Sequence, residues 1–181
     1  MNTKSTSTQN HKSGTEKPCK FFLITISSSR YKTYKDVSNP EQADDSSGQT
    51  IKNLLTTNGH DVTQYMLIND DSNTIQNALR SAVESDADII ITTGGTGLTS
   101  HDVTVESVTP MFDKIIPGFG ELFRFKSIEE IGTAVMLTRA TAGVTGGKAV
   151  FCLPGSRNAV RLAIEDIIIP EAVHIVKHTK D

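Results

Sequence analysis

The sequence is poor in cysteine, holds no long apolar run and carries little excess charge, and each absence narrows what it does. Two cysteines in 181 residues cannot make a disulfide framework. Neither Cys19 nor Cys152 has a second Cys or His at metal-ligand spacing, so no structural zinc site is expected. Cys152 lies within an apolar run and reads as a small buried hydrophobe. No apolar stretch approaches the roughly 20 residues of a membrane helix. The N-terminus lacks the apolar core of a secretory signal, which makes the cytoplasm the expected compartment. A net charge of -3 exerts no global pull on nucleic acid or an anionic membrane, and neither is expected as a partner.

Common motifs are missing as well. Gly95-Thr96-Gly97-Leu98-Thr99-Ser100 lacks the third glycine of the dinucleotide fingerprint and follows a later strand. The loop has no Gly-Lys-Ser/Thr ending, which sets aside a P-loop nucleotidase. Ser156 in Pro-Gly-Ser lacks the flanks of a nucleophile elbow. His174 and His178 are able to share a face of the last helix, although lone histidines there are usually solvated. His101 beside Asp102 has a hydrogen-bonding role as its default.

What remains is an ordinary globular composition, 36% hydrophobic and 22% charged, at a length that suits one domain. Residues 1–18 read as a disordered tail of Ser, Thr, Asn, Lys and Gly, and residues 19–181 as a single α/β domain. Ile89 to Thr104 organises that domain: a β-branched apolar run stops at Gly94-Gly95-Thr96-Gly97, followed by Asp102 and a helix start. A run apolar at every position suits a parallel strand covered on both faces. Glycines let the backbone approach a ligand and aim several N–H groups at one point, which suits phosphate.

Around that loop the chain alternates strand and helix. Phe21 to Ile26 reads as a strand that ends at Ser27-Ser28-Ser29-Arg30, and Tyr31 to Asp45 as a long polar loop. Asp45-Ser46-Ser47-Gly48 leads into a helix with the apolar face Ile51, Leu54 and Leu55. Those four residues either cap the helix or point at a ligand crevice, and the two roles are compatible. Asp61 to Ile68 is a second strand, and Ile75, Leu79, Ala82 and Val83 mark the next helix. Thr104 to Phe112 is expected as a helix capped near Asp102 or Thr104, and Pro117 opens another. Ala134 to Leu137 and Ala149 to Leu153 are expected as strands; Pro170 restarts the chain into a final helix. This alternation predicts an open, mostly parallel sheet. Ligands sit at the carboxyl edge of such sheets, where Ser27 to Arg30, Asn69 to Ser72, Gly94 to Asp102 and Pro154 to Ser156 converge. Asp70 and Asp102, each just past a strand end, suit an oxygen-ligated Mg²⁺ bridging to phosphate. A structural tight turn without ligand remains the alternative for the glycines.

Thr92-Thr93-Gly94-Gly95-Thr96-Gly97, Asp102-Val103-Thr104, Pro117-Gly118-Phe119-Gly120-Glu121, Arg139-Ala140 and Leu153-Pro154-Gly155-Ser156 together resemble the MogA/MoaB family of molybdenum-cofactor biosynthesis proteins. The match runs in order from about Phe21 to the C-terminus, and Leu122 to Gly143 is more similar to the MoaB branch. The resemblance implies a three-layer α/β/α molybdopterin-binding fold, assembled as homotrimers or homohexamers. It implies transfer of AMP from MgATP to the terminal phosphate of molybdopterin, releasing pyrophosphate, with a molybdate-inserting protein downstream. The family's two functional acids fall on Asp70 and Asp102, with Mg²⁺ between protein and phosphate. Its nucleotide and pterin contacts fall on Asp45, Ser47 and Gly48, on Gly94, Gly95, Thr96 and Gly97, and on Pro154, Gly155 and Ser156. Ser27 at the loop mouth and Glu121 complete the set. His101 stands where the family often has Arg, and Thr138 where it often has Ser. A molybdopterin carrier with the same pocket and no chemistry is the alternative reading.

Overall fold

The computed structural model describes residues 17–180, so the expected tail falls, apart from Lys17 and Pro18, outside the described residues. Its centre is a six-stranded sheet of β1 (Lys20–Ile26), β2 (Asp61–Ile68), β3 (Ile89–Thr93), β4 (Lys114–Ile115), β5 (Thr141–Thr145) and β6 (Lys148–Leu153). The strand order is β2-β1-β3-β6-β5-β4. β2, β1, β3 and β6 pair in parallel, and β5 runs antiparallel to both β6 and β4. Helices α1 (Ser28–Tyr34), α2 (Ser46–Thr57), α3 (Ser72–Glu84), α4 (Thr104–Val108), α5 (Pro117–Ile131), α6 (Arg157–Ala163) and α7 (Ile169–Lys180) connect and cover it.

The layering follows from strand periodicity. All five residues of β3 are buried, because alternate side chains enter two different cores. Phe21, Leu23, Ile89, Ile91 and Phe151 pack with Ile51 and Leu55 of α2, Phe119 and Phe123 of α5, and Val160 of α6. Phe22, Ile24, Ile90, Val150 and Cys152 pack on the other face with Ile75 and Leu79 of α3 and Val108 of α4. At about 1.5–3 kcal/mol for each large side chain removed from water, these two clusters fix the strand ends that carry the loops. The open, mostly parallel sheet expected from the alternation is observed, in the three-layer α/β/α sandwich that the resemblance implies.

Several local expectations are corrected. Tyr31 to Asp45 is not an unstructured loop. The Ser27 hydroxyl receives the Arg30 N–H and starts α1, and Asn39 starts a 3₁₀ turn, Pro40–Ala43. Short capped turns need no apolar period, so the helical pattern is silent there. Ala134 to Leu137 is not a strand but part of a 3₁₀ turn, Gly132–Leu137, with no buried residue. The strand is β5, which closes onto β6 as a hairpin through Gly146-Gly147, a pair suited to a two-residue turn. α4 is shorter than expected and continues as the 3₁₀ turn Thr109–Met111 around Pro110. Neither Asp102 nor Thr104 caps it. Pro170 does not restart the chain, because α6 and α7 are joined by a π turn, Ile164–Ile168. That wider turn accommodates a proline ring that would clash in an uninterrupted α-helix.

Candidate active site

The glycine loop after β3 is held open from behind. Its carbonyls are occupied: Gly94 O by the Thr104 hydroxyl at 2.9 Å and Gly95 O by the Thr104 N–H at 3.0 Å. Arg139 donates from Nε to Thr96 O at 3.1 Å and from Nη2 to Asp102 O at 3.3 Å. The same guanidinium pairs with both carboxylate oxygens of Glu106 on α4. That pairing holds the Glu106 carboxyl below the usual carboxylate range. The Gly94 N–H donates to Leu153 O at 3.1 Å, whereas those of Gly95 and Thr96 meet no acceptor among the described residues. Two backbone donors are thereby left for an anion.

A carboxylate stands at each end of this donor pair. Gly95 has φ +62, and a Cβ there would collide with Thr104 Oγ1 and come 3.0 Å from Asp70 Oδ1. A Cβ on Gly97 would lie 2.6 Å from Asp102 Oδ2. Only glycine permits both approaches. Asp70 Oδ2 accepts from the Ser28 N–H at 2.7 Å and its hydroxyl at 2.8 Å, locking the turn after β1 to the turn after β2. No hydrogen bond from a described residue engages Asp70 Oδ1. Asp102 Oδ2 accepts from the Thr99 hydroxyl at 2.6 Å and the Thr99 N–H at 3.0 Å. The Thr99 hydroxyl above all holds the Asp102 carboxyl below its ordinary range, burial opposing, with the Gly97 N–H and Arg139 adding to the effect.

The second turn touches the first. A Cβ on Gly155 would lie 3.4 Å from Gly94 Cα. Pro154 O accepts from Thr93 Oγ1 at 3.1 Å, Gly155 O from Ser47 Oγ at 2.8 Å, and Ser156 Oγ caps α6 by receiving the Ala159 N–H. A cleft of about 370 Å³ opens beside this turn, lined among others by Phe123, Thr138, Pro154, Ser156, Asn158 and Leu162.

The structure thus brings together Ser47, Asp70, Gly94, Gly95, Thr96, Gly97, Asp102, Pro154, Gly155 and Ser156. Ser27 stands beside them as the cap of α1, and Gly48 lies in the first turn of α2. Asp45 is different. It is 1% exposed, and its carboxyl accepts from Thr25 Oγ1 at 2.7 Å, Tyr65 OH at 3.1 Å and the Gly48 N–H at 3.0 Å. Burial pushes the Tyr65 hydroxyl above its ordinary range and keeps it a donor. Glu121 is exposed on α5, and its carboxylate has no hydrogen bond or ion pair among the described residues. Thr104, expected as a helix cap, instead holds the loop carbonyls, and Thr99, Ser28 and Arg139 carry the geometry without having been given an individual role from sequence. Thr99 left a local signal, a hydroxyl three residues before an acid. Arg139 stood in a family motif, but its bracing contact acts across 43 positions and left no local signal.

Among the described residues no three His, Cys, Asp or Glu side chains gather as a metal cage. The oxygen donors present, with Asp70 Oδ1 unengaged, fit Mg²⁺, which binds through one or two carboxylates, water and substrate phosphate. Among those residues, no helix is long and apolar enough to cross a membrane.

Comparison with known proteins identifies the family. The family model described as probable molybdopterin binding domain matches residues 22–174. Molybdenum cofactor biosynthesis protein B of Bacillus cereus is 43% identical over 167 residues, 91% of this chain and 93% of that protein. A Pyrococcus furiosus protein named molybdopterin adenylyltransferase is 43% identical over 177 residues, 96% of this chain and 98% of that protein. The crystal structure of the tungsten cofactor synthesizing protein MoaB from Pyrococcus furiosus matches with a TM-score of 0.80 at 43% identity, covering 91% of this chain and 99% of that one. The chain belongs to the MogA/MoaB family of molybdenum-cofactor biosynthesis proteins, whose shared unit is the probable molybdopterin binding domain.

Proposed function

We propose that this protein is a nucleotidyltransferase that moves AMP from MgATP to the terminal phosphate of molybdopterin. A molybdopterin phosphate oxygen attacks the α-phosphorus of ATP; a P–O bond forms there, the α–β bridge breaks, and pyrophosphate leaves. The observation that carries this reading is the pair of unpartnered backbone donors at Gly95 and Thr96, flanked by the carboxylates of Asp70 and Asp102. Phosphoryl chemistry asks mainly for positioning and charge stabilisation. The name of the 43%-identical Pyrococcus furiosus relative supports the same activity.

Within the Gly94 to Gly97 loop, the N–H groups of Gly95 and Thr96 hold one phosphate group, and the Pro154-Gly155-Ser156 turn with its helix start holds another. Asp70 and Asp102 would hold Mg²⁺, which when bound supplies charge neutralisation and template chemistry at the α-phosphate. Arg139 and Glu106 act as positioning residues that keep the loop carbonyls turned away from the ligand. The same reading includes a homotrimer or homohexamer, and a molybdate-inserting protein as the next partner. The exposed apolar side chains of Phe125, Met136 and Leu137 are consistent with a face covered by another copy.

Mixing the protein with molybdopterin and MgATP tests the activity through pyrophosphate release. Release that needs both substrates and is lost in Asp102→Asn is the expected result. Molybdopterin binding without release would make the protein a carrier instead.

A further inference from the structure

The last helix carries a pair of imidazoles that the proposed reaction does not use. His174 and His178 stand four residues apart on one exposed face of α7. Their Nε2 atoms lie 2.8 Å apart, with ring centroids at 4.5 Å and planes at 71°. His174 Nδ1 lies 3.2 Å from Glu171 Oε2, one turn earlier. We propose that His174 and His178 form a chelate for a borderline divalent cation, Ni²⁺, Cu²⁺ or Zn²⁺, with Glu171 orienting the first imidazole.

The hydrogen bonds define which nitrogen holds a lone pair. With its Nδ1–H given to Glu171, neutral His174 presents a lone pair at Nε2 towards His178. Moving the His178 proton from Nε2 to Nδ1 leaves a lone pair on each of the two neighbouring Nε2 atoms, and a small rotation of the exposed rings turns both towards one cation. A carboxylate on the far nitrogen of a ligating histidine is the usual device for fixing tautomer and orientation. Metal–imidazole bonds of about 2.0–2.1 Å meeting at a right angle place two nitrogens about 2.9 Å apart, and a tetrahedral angle places them about 3.3 Å apart. The observed separation is thus already that of two adjacent ligands.

Ligand chemistry separates this cation from the one proposed at Asp70 and Asp102. Paired imidazole nitrogens select Zn²⁺, Cu²⁺ or Ni²⁺, whereas carboxylate and phosphate oxygens select Mg²⁺. Because no third His, Cys, Asp or Glu joins the pair among the described residues, water completes the coordination. The clip spans the last turns of α7, whose end is otherwise tied to the sheet by the Lys180–Asp88 ion pair.

Titration of the whole chain with NiCl₂ or CuCl₂ alone, without nucleotide or molybdopterin, tests the site independently of the proposed reaction. One equivalent of Cu²⁺ is expected to show electron-spin coupling to two imidazole nitrogens. His174→Gln combined with His178→Gln is expected to abolish that signature, the three other histidines reporting background binding. Glu171→Gln is expected to weaken binding about tenfold, the low end for an outer-shell partner. A wild-type chain that binds neither cation at millimolar concentration, or a double variant that binds as well as wild type, overturns the proposal.

Discussion

Asp45 and Asp102 both follow a polar stretch and both precede a helix, yet the fold gives them opposite surroundings. Asp45 is sealed inside, with Thr25, Tyr65 and Gly48 taking up its carboxyl oxygens. Asp102 stays at the loop, held by Thr99 on one side and pressed against Gly97 on the other. A buried acid with every oxygen engaged has nothing left to offer a ligand, and its removal orphans its donors. An acid oriented by one neighbour at an accessible loop keeps capacity for a cation or a phosphate. Burial separates the acid that holds the fold from the acid proposed to serve the chemistry.

The strongest test of that contrast is Asp102→Asn. It is expected to lower adenylyl transfer by roughly 10²–10³-fold, as removal of one preorganised electrostatic group does, while the melting temperature stays put. Asp45→Asn should behave in reverse. It leaves Thr25, Tyr65 or Gly48 poorly partnered and costs about 1–3 kcal/mol in denaturant melts, with turnover per folded molecule retained. If Asp45→Asn kept full stability and lost turnover, the division between the two acids would collapse.

Arg139→Lys sharpens the same comparison at the loop's rear. A lysine cannot serve Thr96 O, Asp102 O and Glu106 together. The apparent KM for ATP is expected to rise about tenfold, the equivalent of one charge-assisted bond of about 1.5 kcal/mol, with kcat less affected. An unchanged KM would remove the positioning role. The smallest effect concerns His60, which is buried and accepts the Cys19 N–H at Nδ1, 3.2 Å away. Desolvation holds its pKa below the ordinary value, with Asp61 opposing. The folded state therefore disfavours the proton, and stability is present above about pH 6.5 and lost as pH falls through the folded pKa. Melting temperatures recorded from pH 7.5 to pH 5.5 should fall in the wild type and flatten in His60→Gln.

Much of this was legible in the chain. β2 matches its sequence expectation residue for residue, because its apolar pattern and its flanking turns are both local. The first and third strands, the glycine loop and the face of α3 were readable for the same reason. The short capped helix α1 was not, since it buries no residue and so writes no period. Ala134 to Leu137 misled because β-branched and apolar residues there look like a strand, but no neighbour is available to pair with them. Thr141 to Thr145, less apolar, forms β5 because the hairpin presents it to β6.

Local residue pattern was enough to set the alternation of strands and helices, the two cores, and a glycine loop flanked by acids. Those depend on residue period and on backbone freedom, which each segment carries alone. It took the assembled fold to seal Asp45, to bring Arg139 back across 43 positions to brace Thr96, and to make the two glycine turns touch. The fold also decided that the Nε2 atoms of His174 and His178 meet. Burial and convergence depend on what the rest of the chain brings alongside, and no local pattern encodes that.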